Sequence, residues 1–256
     1  MSIFDRTGLA EAMAGHTAVV NLTSAIPPMT KFMLKRAWRD SNRVRTEGSA
    51  ALVDAAIHAG VDRFVQESVS MLYPDHGAQW IDESMPTDEY PMAEADLAAE
   101  ANAGRLPEGG GTAVVLRFGW FYGPGATHSE QFPALARRHI CVQMGRAHGY
   151  VSSIHMTDGG AAVAAALDAP AGTFNIVDDE PLTKRAYAAA LAEAAGARPW
   201  LRVPGAAGSL LGDRSTSLTR SLRVCNNKFR SATGWAPRYP SVREGWIATA
   251  AALGSE

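Results

Sequence analysis

The chain has 256 residues, of which 46% are hydrophobic and 20% are charged, and its formal net charge is −2. This length can bury a sizeable core, and the balanced charge favours neither nucleic acid nor an anionic membrane as a partner. Two cysteines, Cys141 and Cys225, are too few for a disulfide framework, and no ligand pairs have the spacing of a metal site. The first residues, MSIFDRTGLAEAMAGH, lack the basic start and apolar centre of a signal peptide, and no apolar stretch reaches membrane-spanning length. We therefore expect a cytoplasmic protein.

Short β-branched runs alternate with alanine-rich helical patterns, which is typical of βαβ units and a parallel sheet. The run 18–22, AVVNL, is almost entirely apolar, as a strand covered on both faces should be. The segment 199–221 is rich in Gly, Pro, Ser and Arg and is predicted to form a loop-rich cap. The predicted strands are 18–22, 63–67, 112–118 and 173–177, and the predicted helices are 42–59, 92–103, 161–167, 183–195 and 241–253.

A glycine-rich turn between a strand and a helix is the usual cradle for the pyrophosphate of a dinucleotide. Neither GxGxxG nor GxxGxxG occurs near the start of this chain. The glycines 109–111 run into a predicted strand rather than a helix. The turn Gly123-Pro124-Gly125 follows a predicted strand, but its proline lacks an N–H donor and its spacing is wrong. Both stretches are therefore predicted to be ordinary turns.

Ordered landmarks over residues 5–250 carry a resemblance to one family. They are Asp5-x3-Leu9-x2-Ala12-x2-Gly15, AVVNLTS at 18–24, Trp38-x3-Asn42, AGVDRFVQES at 59–68, Tyr90, LRFGWFYGPG at 116–125, Ile154-His155-Met156-x-Asp158, Arg223-x2-Asn226-x-Lys228 and Thr233-Gly-Trp-x-Pro237. In this order and spacing the chain resembles the NAD(P)-dependent epimerase/dehydratase family, the extended short-chain dehydrogenases/reductases.

The resemblance implies an α/β fold, a Rossmann-like parallel sheet with a small C-terminal substrate lobe, and NAD or NADP as the cofactor. It places a partial dinucleotide-binding domain at 1–145 and 154–180, and a mainly substrate-binding lobe at 146–153 and 181–256. Members usually begin about 50 to 60 residues earlier, with the strands that carry the glycine motif. We therefore expect an N-terminally incomplete sheet, which a mis-assigned or truncated start explains better than a natural short form. In a short form the strand 18–22 would lie at a sheet edge, where a homodimer would cover it.

The family's reaction uses a tyrosine as the proton carrier, a lysine four residues later and a Ser or Thr that contacts the substrate. Tyr90 matches the tyrosine, but Glu94 stands in the place of the lysine, where a carboxylate raises the pKa of the tyrosine. The hydroxyl position falls on Val69, so Ser68 or Ser70 is the candidate. Alternatively, Tyr90 is a loop tyrosine, Glu94 a solvated first-turn residue, and the serines bond local backbone.

The same resemblance implies further binding residues, several of which have structural alternatives. Asn42 suits a backbone bond between strands, His155 suits packing, the aromatic residues suit the core, and Arg117 suits an internal carboxylate. The candidate cofactor-binding residues are Thr23, Ser24, Asn42, Phe118, Gly119 and Phe121; the candidate substrate-binding residues are Trp120, Arg146, His155, Arg223 and Lys228; no metal ligand is predicted.

The function implied is NAD(P)-linked oxidoreduction, epimerisation or dehydration of a sugar nucleotide or another small hydroxy or keto compound. A non-catalytic or truncated relative with a binding or regulatory role is the alternative. Glu94, Val69 and the missing glycine motif favour that alternative.

Overall fold

The computed structural model describes residues 1–28, 31, 34–91, 93–138, 140–142, 145–198, 201–203 and 216–253. Its strands are β1 (Ala18–Asn21), β2 (Arg63–Val69), β3 (Trp80–Ile81), β4 (Thr112–Phe118), β5 (Trp120–Tyr122), β6 (Ile140–Val142), β7 (Tyr150–Val151), β8 (Ser153–His155), β9 (Gly172–Ile176), β10 (Leu182–Thr183), β11 (Leu201–Val203) and β12 (Arg223–Val224). Its α-helices are α1 (Arg6–Met13), α2 (Arg39–Arg43), α3 (Ser49–Ala59), α4 (Glu94–Ala103), α5 (Thr127–Arg137), α6 (Met156–Ala165), α7 (Lys184–Ala194), α8 (Thr216–Thr219), α9 (Asn227–Thr233) and α10 (Val242–Leu253).

A four-stranded parallel sheet in the order β1-β2-β4-β9 forms the centre of the fold. In its register Ala18 lies beside Arg63, and Arg63 lies beside Thr112. Opposite faces of the sheet carry different cores, because neighbouring residues of a strand point in opposite directions. Phe64 packs with α1 and α3, whereas Val65 packs with α6 and α9. The predicted Rossmann-like parallel α/β fold is confirmed.

Several predicted elements differ in detail from the observed ones. The strand predicted at 63–67 continues to Val69, and a 3-10 turn (Ser70–Leu72) follows it. The helix predicted at 42–59 is a longer run, in which a π-helical turn (Val44–Gly48) separates α2 from α3. The helix predicted at 161–167 begins earlier, at Met156, because His155 caps it.

Strand β1 does not have the double-sided cover that its apolar sequence predicts. It pairs only with β2 among the described residues, and Val20 is 38% exposed. The expectation of burial on both faces is wrong for Val20 because β1 lies at the edge of the described sheet. Most of the predicted cap at 199–221, and the predicted helix start at residue 92, lie outside the described residues.

The C-terminal part of the chain packs over the carboxyl ends of the sheet strands. Helices α7 and α10 enclose Tyr122 and Trp246 in a separate core. Strand β12 pairs in parallel with β3, and Leu222 packs against Tyr73 and Val177. None of the helices in the described part of the chain combines the length and the apolar character needed to cross a membrane.

Candidate functional site

The carboxyl ends of the four sheet strands define the candidate site, because open parallel sheets bind ligands at this edge. Strands β1, β2, β4 and β9 end there at Asn21, Val69, Phe118 and Ile176.

Tyr90 lies at this edge, directly before α4, and is 9% exposed. Its hydroxyl donates a hydrogen bond to the carbonyl oxygen of Met71 over 3.1 Å. Burial raises the pKa of Tyr90 to about 12, so the phenol stays protonated at neutral pH. The contact with Met71 also places the phenol beside the turn that begins at Ser70.

Glu94, at the position where the resemblance expects a lysine, does not supply a cation beside Tyr90. It is exposed in the first turn of α4, where an acidic residue interacts favourably with the helix dipole. Its backbone N–H donates to the carbonyl oxygen of Tyr90 over 3.3 Å.

Ser68 and Ser70 have different surroundings. The Ser68 hydroxyl is buried and donates to Glu100 Oε1 over 2.6 Å. Glu100 in turn accepts two hydrogen bonds from the guanidinium of Arg117, over 2.8 Å and 2.7 Å, as expected for an arginine that anchors an internal carboxylate. Ser70 is also buried, but its hydroxyl has only a 4.0 Å contact with the sulfur of Met71. The Ser70 hydroxyl therefore lacks the carboxylate partner that Ser68 has, and it lies in the turn whose Met71 carbonyl oxygen accepts from Tyr90.

The candidate cofactor residues fall into an exposed group and a buried group. Thr23 and Ser24 are exposed just beyond β1, and the Thr23 amide donates to the Asn21 side chain over 3.1 Å. Phe118 is buried at the end of β4, and its ring centroid lies 5.0 Å from that of Phe121.

Two further cofactor candidates, Gly119 and Asn42, lie close to backbone atoms of other residues. A Cβ atom added to Gly119 would lie 2.8 Å from the carbonyl oxygen of Ser152, so only glycine fits there. Asn42 is half-buried in α2, and its carbonyl oxygen accepts from the Thr46 hydroxyl over 2.8 Å.

The candidate substrate residues have different surroundings. Trp120 is half-buried in β5, and Arg146 is exposed. The Arg223 guanidinium stacks 4.2 Å from the ring centroid of Trp80 and 4.8 Å from that of Tyr150.

His155 and Lys228 have structural partners. His155 Nδ1 accepts from the Thr157 amide over 3.2 Å, and its ring centroid lies 4.4 Å from that of Tyr239. Burial lowers the pKa of His155, which keeps its ring neutral. Lys228 donates to the carbonyl oxygen of Thr173 over 2.8 Å, near the amino end of β9 and away from the candidate site.

The structure adds two arginines that the sequence did not single out. Arg45, 5% exposed, lies 2.9 Å from a carboxylate oxygen of Glu67 and 2.6 Å from one of Asp96. Arg220 lies over the Tyr90 ring, 4.5 Å from its centroid. Nothing in the local sequence marks either residue, because their partners are distant in the chain.

Metal chemistry has no candidate centre in the part of the chain that the structure describes. There, no three His, Cys, Asp or Glu side chains are grouped so that they would hold an ion.

The parallel sheet, with helices packed on both of its faces, defines a Rossmann-like α/β protein. A family model, the NAD dependent epimerase/dehydratase family, matches residues 2–176. A curated relative from a Streptomyces species, a 3-diazoavenalumate denitrifying reductase, is 34% identical over 262 residues, covering 94% of this chain and 86% of the relative. The chain therefore belongs to the NAD dependent epimerase/dehydratase family.

Solved structures agree with this fold. A human epimerase family protein with NADPH has a TM-score of 0.83 at 22% identity, over 94% of this chain and 86% of its own. A dTDP-glucose 4,6-dehydratase from Streptomyces venezuelae has a TM-score of 0.80 at 21% identity, over 100% of this chain and 79% of its own. A UDP-glucose 4-epimerase from Thermotoga maritima has a TM-score of 0.78 at 19% identity, over 100% of this chain and 83% of its own.

The described residues fit the adenosine and nicotinamide ends of a dinucleotide better than the pyrophosphate between them. The exposed hydroxyls of Thr23 and Ser24 suit the adenosine side, and the buried Ser70 hydroxyl beside Tyr90 suits the nicotinamide side. No strand of the four-stranded sheet is followed, within the described residues, by a glycine-lined turn into a helix. The pyrophosphate therefore has no glycine cradle in this part of the chain.

Proposed function

We propose that this protein is an NAD(P)H-dependent reductase in which Tyr90 donates a proton to a small organic hydride acceptor. The observation that carries the proposal is the position of Tyr90 at the carboxyl edge of the sheet, where its phenol is buried and donates to the carbonyl oxygen of Met71 over 3.1 Å. The denitrifying reductase that is 34% identical supports the same direction of reaction.

The relative that is 34% identical is named as a reductase, which favours reduction over epimerisation or dehydration. Reduction of a carbonyl-like acceptor requires a proton donor, and the Tyr90 phenol, whose pKa burial raises to about 12, carries its proton at neutral pH.

Each part of the proposed site has a role in that reaction. When bound, the cofactor supplies the hydride. Thr23, Ser24 and Asn42 would contact its adenosine side, and Phe118, Gly119 and Phe121 would line its nicotinamide side. Tyr90 Oη holds the proton, and its hydrogen bond to Met71 must be exchanged for one to the acceptor. Ser70 Oγ would hold the acceptor oxygen or nitrogen beside it.

The acceptor is proposed to be a small, electrophilic carboxylic acid rather than a sugar nucleotide. This follows the relative's name, which describes a diazo carboxylate as its substrate. Arg146 and Arg223 would attract the carboxylate, while Trp120 and His155 would bound the pocket. Lys228 contributes less, because its ammonium group already donates to Thr173 away from this edge.

Cofactor binding and turnover test the proposal in sequence. The purified chain is titrated with NADPH and NADH, read by fluorescence and by thermal shift. NADPH oxidation is then followed with small ketones, quinones and 3-diazoavenalumate, and UDP-glucose conversion is assayed in parallel. We expect saturable binding and oxidation of the cofactor by at least one reducible acceptor. UDP-glucose conversion without net cofactor consumption would instead identify an epimerase and contradict the proposal.

The Tyr90→Phe variant tests the role of the phenol. Loss of a general acid lowers turnover by about 10²- to 10⁴-fold. Tyr187→Phe is the matched control, because Tyr187 packs against Trp246 in the C-terminal core, with ring centroids 6.3 Å apart. Equal turnover of Tyr90→Phe and the unmodified chain on a ketone would remove Tyr90 from the mechanism.

A non-catalytic relative is the second candidate function. It is favoured by one specific observation: the hydroxyls of Ser68 and Tyr90 both bond within the protein, to Glu100 and to Met71. Tight NADPH binding without oxidation by any acceptor, unchanged in Tyr90→Phe, would support this candidate over the reductase.

A further inference from the structure

The charges around the Tyr90 phenol differ in sign. Among the described residues that act on it, Arg220 lowers the pKa of Tyr90, whereas Asp96 and Asp88 raise it. The Arg220 guanidinium lies over the ring, 4.5 Å from its centroid, within the range at which a cation and an aromatic face attract each other. Glu94, four residues after Tyr90, is an exposed acidic residue in the first turn of α4.

Arg220 is held in this position by three contacts. Its Nη1 donates to the carbonyl oxygen of Tyr73 over 2.8 Å, and its Nη2 pairs with the carboxylate of Asp88. The third contact is the Tyr90 ring itself. Only 10% of the Arg220 side chain is exposed, so the guanidinium has little freedom to move away.

The backbone next to Arg220 is fixed as well. The Ser221 amide donates to Asp75 Oδ2 over 3.1 Å, and the Ser221 carbonyl oxygen accepts from the His76 amide over 3.2 Å. The Leu222 amide donates to the carbonyl oxygen of Tyr150 over 3.0 Å. The bonds of Ser221 attach this segment to the loop after β2, and the bond of Leu222 attaches it to β7. Arg220 is thereby placed against a tyrosine 130 residues earlier.

We propose that Arg220 is the positioning residue of Tyr90: it fixes the phenol ring and supplies from the C-terminal segment the positive charge that Glu94 does not. This inference rests on the proposed reductase function, in which Tyr90 gives up its proton. A phenol becomes negative as its proton leaves, and a cation close to the ring stabilises that charge. The cation of this site therefore comes from the substrate side of the fold rather than from α4.

A fluorinated tyrosine at position 90 makes this role measurable, because fluorine makes the phenol more acidic and reports its ionisation by NMR. The titration needs neither cofactor nor substrate. We expect Arg220→Met to raise the midpoint by about 1 pH unit, because an opposite charge at this range is removed. Arg220→Lys should return the midpoint part of the way. Asp88→Asn should shift it in the opposite direction, because an acid that raises the pKa of Tyr90 is removed.

Arg243→Met is the matched control, because Arg243 forms an exposed ion pair with Glu180 and should leave the midpoint unchanged. If Arg220→Met fails to fold, as judged by circular dichroism, Arg220→Lys and Asp88→Asn carry the test. An unchanged midpoint in the folded Arg220 variants, or shifts of the same sign in Arg220→Met and Asp88→Asn, would overturn the inference. Failure of the reductase proposal is seen separately, as absent NADPH oxidation by the unmodified chain.

Discussion

At the scale of single residues, two glycines of the turn after β5 differ in their surroundings. Gly123 and Gly125 have φ angles of 116° and 88°, in the region that favours glycine. A Cβ atom on Gly123 would lie 2.7 Å from Nε2 of His155, whereas one on Gly125 would have nothing within 4 Å. Gly123 is therefore required by both backbone and packing, and Gly125 by backbone alone.

The corresponding alanine variants should separate these two requirements. Gly123→Ala should destabilise the protein by about 3 kcal/mol, because backbone strain adds to a clash with His155. Gly125→Ala should cost about 1 to 2 kcal/mol from the backbone alone. Urea unfolding monitored by circular dichroism measures both. Equal losses would mean that His155 moves aside without penalty.

At the scale of elements, one buried arginine joins a helix, a strand and a second helix. Arg45 lies on the π-helical turn between α2 and α3, and it pairs with Glu67 of β2 and Asp96 of α4. Because α4 starts four residues after Tyr90, this cluster also fixes the helix behind the candidate site. Burial raises the pKa of Asp96 to about 7; the charges of Glu67 and Glu100 add to this rise, and the Arg45 guanidinium opposes it.

The sign of this pKa shift gives a pH-dependent prediction. When the pKa of a carboxyl group is higher in the folded state than in the unfolded state, the protein loses stability as the pH rises towards the folded-state pKa. The Asp96→Asn variant should therefore become more stable relative to the unmodified protein as the pH rises from 5 to 8. Arg45→Met should cost about 3 to 5 kcal/mol at pH 8, because it leaves two buried carboxylates without a cation, and less at pH 5. Urea unfolding at both pH values tests this, and a cost independent of pH would contradict it.

At the scale of the whole molecule, the described sheet has an open side. Strand β1 pairs only with β2 among the described residues, and exposed apolar side chains follow its edge: Val20 is 38% exposed and Leu22 49%. An apolar edge of this kind favours pairing with another chain. The predicted homodimer stays a prediction, but this edge is where self-association should start.

Two neighbouring valines distinguish edge exposure from core packing. Val20→Lys should lower self-association and change the free energy of unfolding by less than about 1 kcal/mol, because position 20 is partly solvated. Val19→Lys is the contrasting variant, since Val19 packs against the core of α1 and α3, and it should destabilise the fold strongly. Light scattering over a concentration series gives the association state. Unchanged self-association in Val20→Lys would exclude β1 as the contact.

The sequence by itself determined the fold class and the family. Apolar runs and helical spacing report which local faces are buried, and the ordered motifs report their succession along the chain. Gly60, for example, ends α3 with a φ of 69°, as its position after the helical pattern predicts.

Only the tertiary structure decided which side chains meet at the site. Ser68 and Ser70 look equivalent in the sequence, yet Ser68 bonds to Glu100, 32 residues away, whereas Ser70 contacts the sulfur of Met71, whose carbonyl oxygen accepts from Tyr90. Arg220 has no local signal at all, because strand order and the path of the C-terminal segment bring it to Tyr90. Periodicity describes neighbours within one element, whereas the partner of a buried polar group is set by how distant elements pack.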